Sequence, residues 1–155
     1  MAGQVDEAVE CVRSVLERVA DGIGVDAEVR VRPDDDGIVG EFVGDDLGVL
    51  IGHHGQTIDA VQHLAYRIAF RKTQEPLRVV VDAAGYRERR AVALRATADQ
   101  AAETAIRDRR AVELDAMSAL ERKVVHEHLK SRHDVETYSE GQEPDRRLIV
   151  APVVE

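Results

Sequence analysis

The chain has 155 residues, with 21 Lys and Arg against 30 Asp and Glu and a net charge of −9; this length holds one ordinary domain or two small ones. Hydrophobic residues make up 44% and aromatics only 3%, with no Trp, so a core has to come from Val, Leu, Ile and Ala, and the mixed sign of the charge excludes wholesale disorder. One Cys excludes a disulfide framework and a Cys-based zinc module, no apolar run approaches the ~20 residues of a membrane helix, and the acidic start MAGQVDEAVE has no signal-peptide core, so a soluble, cytoplasmic protein is expected.

Residues 4–20 predict an amphipathic helix, because Val5, Ala8, Val9, Val12, Val15, Leu16 and Val19 recur at three- and four-residue steps, with Cys11 on the flank of the stripe. Gly22 and Gly24 supply the stop. Val25, Ala27, Val29 and Val31 alternate with charged residues as in a half-buried strand, Pro33 to Gly37 is turn chemistry, and Ile38 to Val43 completes a hairpin. Asp34, Asp35 and Asp36 lack the alternating acidic ligands and closing Glu of a calcium loop, so they are read as a solvated turn. Asp45-Asp46 is expected to cap a short helix ending at Leu50 or Ile51. After Gly52-His53-His54-Gly55 comes a helix with Ile58, Val61, Leu64, Ala65 and Ile68 on one face, then a strand carrying Leu77, Val79 and Val81. The first domain is therefore expected over 1–83, in the order α-β-β-α-α-β.

Residues 86–108 hold no Gly or Pro and predict a long helix with a narrow seam of Leu94, Ala98, Ala101, Ala102 and Ala105, and with Arg87, Arg89, Arg90 and Arg95 crowding its first half. A short strand at 112–114, a helix from Met117 to about Lys130, a strand at 135–139, a turn at Gly141–Pro144 and a last strand at 147–150 follow. On that helix Met117, Leu120 and Val124 are expected to form the buried stripe, on which His128 also falls as a packed histidine, and Arg122, His126 and Lys130 to lie on roughly the opposite face. The second domain is expected over 84–155 as α-β-α-β-β, which makes the whole an α+β chain of two domains.

The charge is unevenly spread. Residues 1–50 carry 4 basic and 13 acidic side chains, residues 51–110 carry 11 and 7, and residues 111–155 carry 6 and 10. The middle alone is net basic, and a polyanion responds to a local patch more than to the total. The GxxG sequence lies in that middle. Two glycines permit tight turning and close approach of a sugar-phosphate chain, and the N–H groups that open the following helix face the same place.

In this context the string Val49-Leu50-Ile51-Gly52-His53-His54-Gly55-Gln56-Thr57-Ile58 resembles a KH domain of the prokaryotic type II arrangement, over residues 4–83. The resemblance implies a loop that clamps the backbone of about four nucleotides of single strand, with Ile51, Gly52, His53, His54, Gly55 and Gln56 as RNA-binding residues. The two variable positions are often basic in such domains; here they are histidines, which near neutral pH are mostly uncharged. RNA affinity is then expected to rise as pH falls from about 7.5 to about 6, across the ordinary histidine midpoint of about 6.5.

The string from Leu114 through Arg122 and His126, continued by Thr137 to Arg147, resembles the R-3-H domain, named for its Arg-x-x-x-His motif and associated with single-stranded nucleic acid. The resemblance makes Arg122 and His126 the signature residues, with Lys130 one turn further on; an exposed Arg and His one turn apart can grip phosphate. A KH domain followed directly by an R-3-H domain is the arrangement of the bacterial Jag, or SpoIIIJ-associated, family. The chain begins at the KH helix and is expected to lack the N-terminal Jag domain of many members. The family implies RNA binding, cell-envelope control and a small KH-domain protein as partner; its association with a membrane-protein insertase implies no membrane insertion of this chain.

The leading expectation is a non-catalytic single-stranded nucleic-acid-binding protein that needs no cofactor or metal. RNA is the favoured ligand, and single-stranded DNA stays open because no residue reading the 2′-OH is identified. An adaptor acting through protein contacts, with the small KH protein or the membrane-protein insertion machinery, is the second reading. An enzyme is disfavoured: no zinc spacing, no phosphate-binding Walker loop and no basic setting for Cys11 is present.

Overall fold

The computed structural model describes residues 2–154, and the chain divides into two compact units, 1–87 and 88–155. The first holds α1 (Ala2–Ile23), β1 (Glu28–Asp34), β2 (Gly37–Val43), α2 (Gly48–Ile51), α3 (Gln56–Thr73) and β3 (Arg78–Ala83). Its three strands are ordered β1-β2-β3; β1 and β2 are antiparallel, whereas β2 and β3 run parallel with Val39 opposite Val80. A parallel pair needs a crossover, and α2, the GxxG loop and α3 provide it. The α1 stripe sends Ala8, Val12, Leu16 and Ala20 into the core, where they meet Ile38 and Phe42 of β2, Ile58, Val61 and Ala65 of α3, and Val79 and Val81 of β3.

Three local expectations are corrected in this unit. The first strand begins at Glu28 instead of Val25 and runs through Pro33, so the turn is only Asp35-Asp36. β1 is an edge strand, where the missing N–H of a proline is tolerated, and Asp34 Oδ1 accepts the Asp35 N–H at 2.8 Å to close the turn. Val25 and Ala27 do pack on the core, but ahead of the ladder. Asp45 and Asp46 do not cap α2: the buried Leu47 takes the N-cap position, and no side chain caps it. On α3 the buried line is Ile58, Val61, Ala65, Ala69 and Thr73, while Leu64 and Ile68 stay 46% and 38% exposed. A 3.6-residue period carries the line from Ala65 to Ala69, which leaves Leu64 and Ile68 on its flank.

The second unit continues α4 (Tyr86–Asp108), whose first two residues belong to the first unit, and adds β4 (Val112–Glu113), α5 (Ala119–Leu129), β5 (Val135–Glu140) and β6 (Arg147–Pro152). Its sheet is antiparallel, in the order β4-β6-β5. The seam of α4 is buried as expected, against Val125 and Leu129 of α5, Val135 of β5, and Leu148 and Val150 of β6.

The face of α5 differs from expectation. Met117 lies outside the helix, and Ser118 is its N-cap: the Ser118 hydroxyl accepts the Glu121 N–H at 3.3 Å, and the Glu121 carboxylate accepts the Ser118 N–H at 3.4 Å. With the start set there, the buried line is Glu121, Arg122, Val125 and Leu129; Leu120 is 62% exposed and Val124 only half-buried. Both units are α+β, and their element orders are those read from the sequence. Among the described residues no helix is long and apolar enough to cross a membrane.

Candidate nucleic-acid interface

In the first unit α2 stops at Gly52, which has φ 74°, and a single 3-10 turn, His53–Gly55, leads into α3. Both glycines are required for two reasons each. Gly52 lies at positive φ, and a Cβ there would come 2.2 Å from Thr57 Oγ1; Gly55 is left-handed at φ 79°, and its Cβ would come 2.6 Å from Tyr86 Cε1. His54 also takes a left-handed φ of 50°. The loop is thus packed from beneath by Thr57 and Tyr86, and the histidines are turned outward. Both are exposed, and their rings stack with centroids 3.9 Å apart. Gln56 is exposed at the first position of α3, and Ile51 is half-buried against the core. No side chain caps α3, so its leading N–H groups lie at the loop as donors.

The support of this loop includes residues that sequence reasoning missed. Tyr86 opens α4, and the next residue, Arg87, anchors it. The Arg87 guanidinium donates to Asp59 Oδ1 at 2.7 Å, to Gln62 Oε1 at 3.0 Å and to the Val81 carbonyl at 2.9 Å. Gln62 Oε1 also accepts the Val81 N–H at 3.0 Å. Arg87 therefore fastens the start of α4 to α3 and β3 instead of contributing to an exposed basic crowd. Arg90 is likewise engaged, with Glu121 at 2.6 Å, and Arg95 lies 3.8 Å from Glu88. The signal available in the sequence was the pairing of Asp59 with Gln62, one helical turn apart on α3.

In the second unit a concavity of about 400 Å³ lies between α5 and the β5–β6 hairpin, lined among others by Arg122, Lys123, His126, Thr137, Ser139 and Arg146. His126 is exposed, with Nδ1 2.5 Å from Thr137 Oγ1. Arg122 is not the exposed side chain expected on the face opposite the core. It is 8% exposed, because its spacing of three and seven residues from Val125 and Leu129 puts it on their face of α5. Its Nη1 donates to the Met117 carbonyl at 2.6 Å and its Nη2 to Glu143 at 2.5 Å. Lys130 is exposed at the C-cap of α5 and lies outside the concavity's lining. His128 is half-buried and bonded to Asp99 of α4 at 2.8 Å.

The shifted titrations lie away from both places. The Asp134 carboxyl is held below its ordinary range by the Arg132 hydrogen bond, Glu28 by that of Arg30, and Asp108 by that of Arg107. Among the described residues no group of three His, Cys, Asp or Glu is placed to hold a metal ion.

Comparison with known proteins follows the same division. The KH domain of KhpA/KhpB matches residues 10–82, and the R-3-H domain matches residues 92–152. The chain is 34% identical over 146 residues to the RNA-binding protein KhpB of Clostridium symbiosum, covering 94% of this chain and 65% of that protein. It is 36% identical over 146 residues to the RNA-binding protein KhpB of Lactiplantibacillus plantarum, covering 94% and 45%. With the RNA-binding protein KhpB of Bacillus subtilis it shares 26% over 147 residues, covering 94% and 71%. The chain thus spans less than two thirds of the length of the first two relatives. With the two domains matched in this order along nearly the whole sequence, the chain carries a KH domain of the KhpA/KhpB type followed by an R-3-H domain, and is similar over 94% of its length to RNA-binding proteins named KhpB.

Proposed function

We propose that the chain is a non-catalytic cytoplasmic protein that binds single-stranded RNA through the loop 51–56 of a KH domain, 1–83, and through the concavity beside His126 in an R-3-H domain, 84–155. The observation that carries this is the Gly52–Gly55 turn. Its backbone is forced into left-handed conformations, packed from below by Thr57 and Tyr86, and presents two exposed histidines and the uncapped start of an 18-residue helix to one side. That is a surface for a sugar-phosphate backbone and offers no nucleophile and base in reach of each other. The curated relatives carry the name RNA-binding protein, which supports the same ligand. Two modest sites on one chain make the second contact intramolecular, so their affinities combine. Lys130, outside the concavity, adds long-range attraction. Regulation after transcription, or of the cell envelope, is the role this binding would serve.

The test is fluorescence anisotropy with a random single-stranded RNA pool and its DNA counterpart at two salt concentrations. Salt-sensitive binding that weakens in the His53→Asp/His54→Asp variant, with the fold intact by circular dichroism, supports the reading. Equal binding by that variant sinks the role of the loop. A second reading has its own observation: Leu64 and Ile68 line a groove of about 530 Å³ with Cys11, Val15 and Val19 of α1, an apolar face suited to a small KH-domain partner. Association that survives nuclease treatment and is lost in Leu64→Glu favours the adaptor.

A further inference from the structure

The Arg-x-x-x-His pair invites the view that both residues touch the nucleic acid, but the bonding of Arg122 argues otherwise. Its guanidinium is buried and already bonded at both terminal nitrogens, to the Met117 carbonyl and to Glu143. Met117 is the pivot of a small network: while its carbonyl accepts from Arg122, its N–H donates to the Arg146 carbonyl at 3.3 Å. Glu143 and Arg146 both belong to the β5–β6 turn, where the Asp145 N–H donates to the Gln142 carbonyl at 2.9 Å and Arg146 Nη1 donates to the Gly141 carbonyl at 2.6 Å. Arg122 thus ties the start of α5 to the turn that carries Arg146.

We propose, on the footing of the RNA reading above, that Lys123 and Arg146 grip the phosphates in the second unit with His126 between them, and that Arg122 is a positioning residue that holds Arg146 in place. The concavity has the composition for this. It is lined by Lys123 and Arg146 and by Thr137 and Ser139, and none of its lining residues is a carboxylate, in a chain whose net charge is −9. Tyr138 of β5, 48% exposed, lines it as well.

The experiment is anisotropy of a labelled single-stranded RNA with the full chain across a salt series, comparing Lys123→Gln, Arg146→Gln, Glu143→Ala and the His53→Asp/His54→Asp loop variant. A lost phosphate contact flattens the slope of log affinity on log salt by about 0.7 per charge on a single strand. Lys123→Gln and Arg146→Gln are each expected to flatten it by that amount. Glu143→Ala frees Arg122 from its carboxylate; if Arg122 positions, affinity falls and the slope does not steepen. A steeper slope and tighter binding in Glu143→Ala would mean that Arg122 is a contact held in check, and overturns the assignment. Wild-type slopes in Lys123→Gln and Arg146→Gln, alongside weakened binding by the loop variant, overturn it too while leaving the RNA reading intact. A wild-type chain that binds no RNA at the lowest salt removes both. Lys123 is exposed, so its replacement leaves the fold unaffected.

Discussion

Gly55→Ala tests whether the loop is held by Tyr86 or only by its own backbone. Two costs add in the folded chain. Placing an L-residue in the left-handed region costs roughly 1–2 kcal/mol. The new Cβ would also lie 2.6 Å from Tyr86 Cε1 and 3.1 Å from its hydroxyl oxygen, so the ring, which belongs to a half-buried side chain, has to move. Overpacking of this kind costs roughly 1–3 kcal/mol. The total of about 2–5 kcal/mol is a large share of a small domain's stability. The two parts separate in a double-mutant cycle with Tyr86→Ala, which removes the ring and leaves the backbone term of about 1–2 kcal/mol. Because two units need not unfold together, urea unfolding is followed through the amide signals of Ile58 and Val61, which report on the first unit alone. A cost for Gly55→Ala that is the same with and without the Tyr86 ring would refute the claim that this ring supports the loop.

Ser118→Ala removes the cap of α5 and is expected to cost about 1 kcal/mol, read at Val125 and Leu129 and absent at Ile58; an unchanged second unit would deny the capping box a role. Asp134 should titrate below the ordinary Asp value of about 3.9, because Arg132 bonds its carboxylate at 2.9 and 2.7 Å. Its folded value is the depressed one, so this contribution is complete above the unfolded value and is lost as pH falls through the folded one; Arg132→Gln should return the titration, followed by carboxyl NMR, to the ordinary value. RNA affinity should rise as pH drops from about 7.5 to about 6. The His53→Asn/His54→Asn chain should show a flatter profile, and a flat wild-type profile would mean that charge on the histidines plays no part.

The long-period features were legible in the sequence, and the boundaries set by single side chains were not. The seam of α4 was read residue for residue, since five small or apolar positions at helical spacing have one solution on a 23-residue helix. On α5, with 11 residues, the phase is ambiguous in the sequence, and packing of Val125 and Leu129 with α4 and the strands sets it. Counting Met117 into that helix moved the expected stripe onto Leu120 and placed Arg122 on the solvent side. β1 departs from the expected bounds because of its partner strand. The alternation from Val25 onward is real burial, but the ladder starts only where β2 offers a partner, at Glu28 opposite Val43. In the same way the charges of Arg87 and Arg90 were visible, while their destinations, on Asp59 and Glu121, required the fold.

These corrections share a direction that bears on how the two motifs work. In GxxG the glycines are required by what lies under them, Thr57 and Tyr86, and the two residues between them are what solvent sees. In Arg-x-x-x-His the arginine is turned inward onto Met117 and Glu143, and the histidine faces outward. Each motif thus combines residues that shape a surface with residues that lie on it. A substitution at a shaping position should lower stability together with binding, whereas one at a surface position should change the salt or pH dependence of binding with stability unmoved. Arg122→Gln and His126→Gln make the comparison within a single motif. Loss of Arg122 strands the Met117 carbonyl and the Glu143 carboxylate without their partner, and removing one member of a bonded charged pair costs about 1.5–3 kcal/mol. Loss of His126 gives up one contact to Thr137 at an exposed site, where substitutions stay within about 0.5 kcal/mol. Equal destabilisation by the two variants, measured by urea unfolding at Val125 and Leu129, would contradict this division of labour.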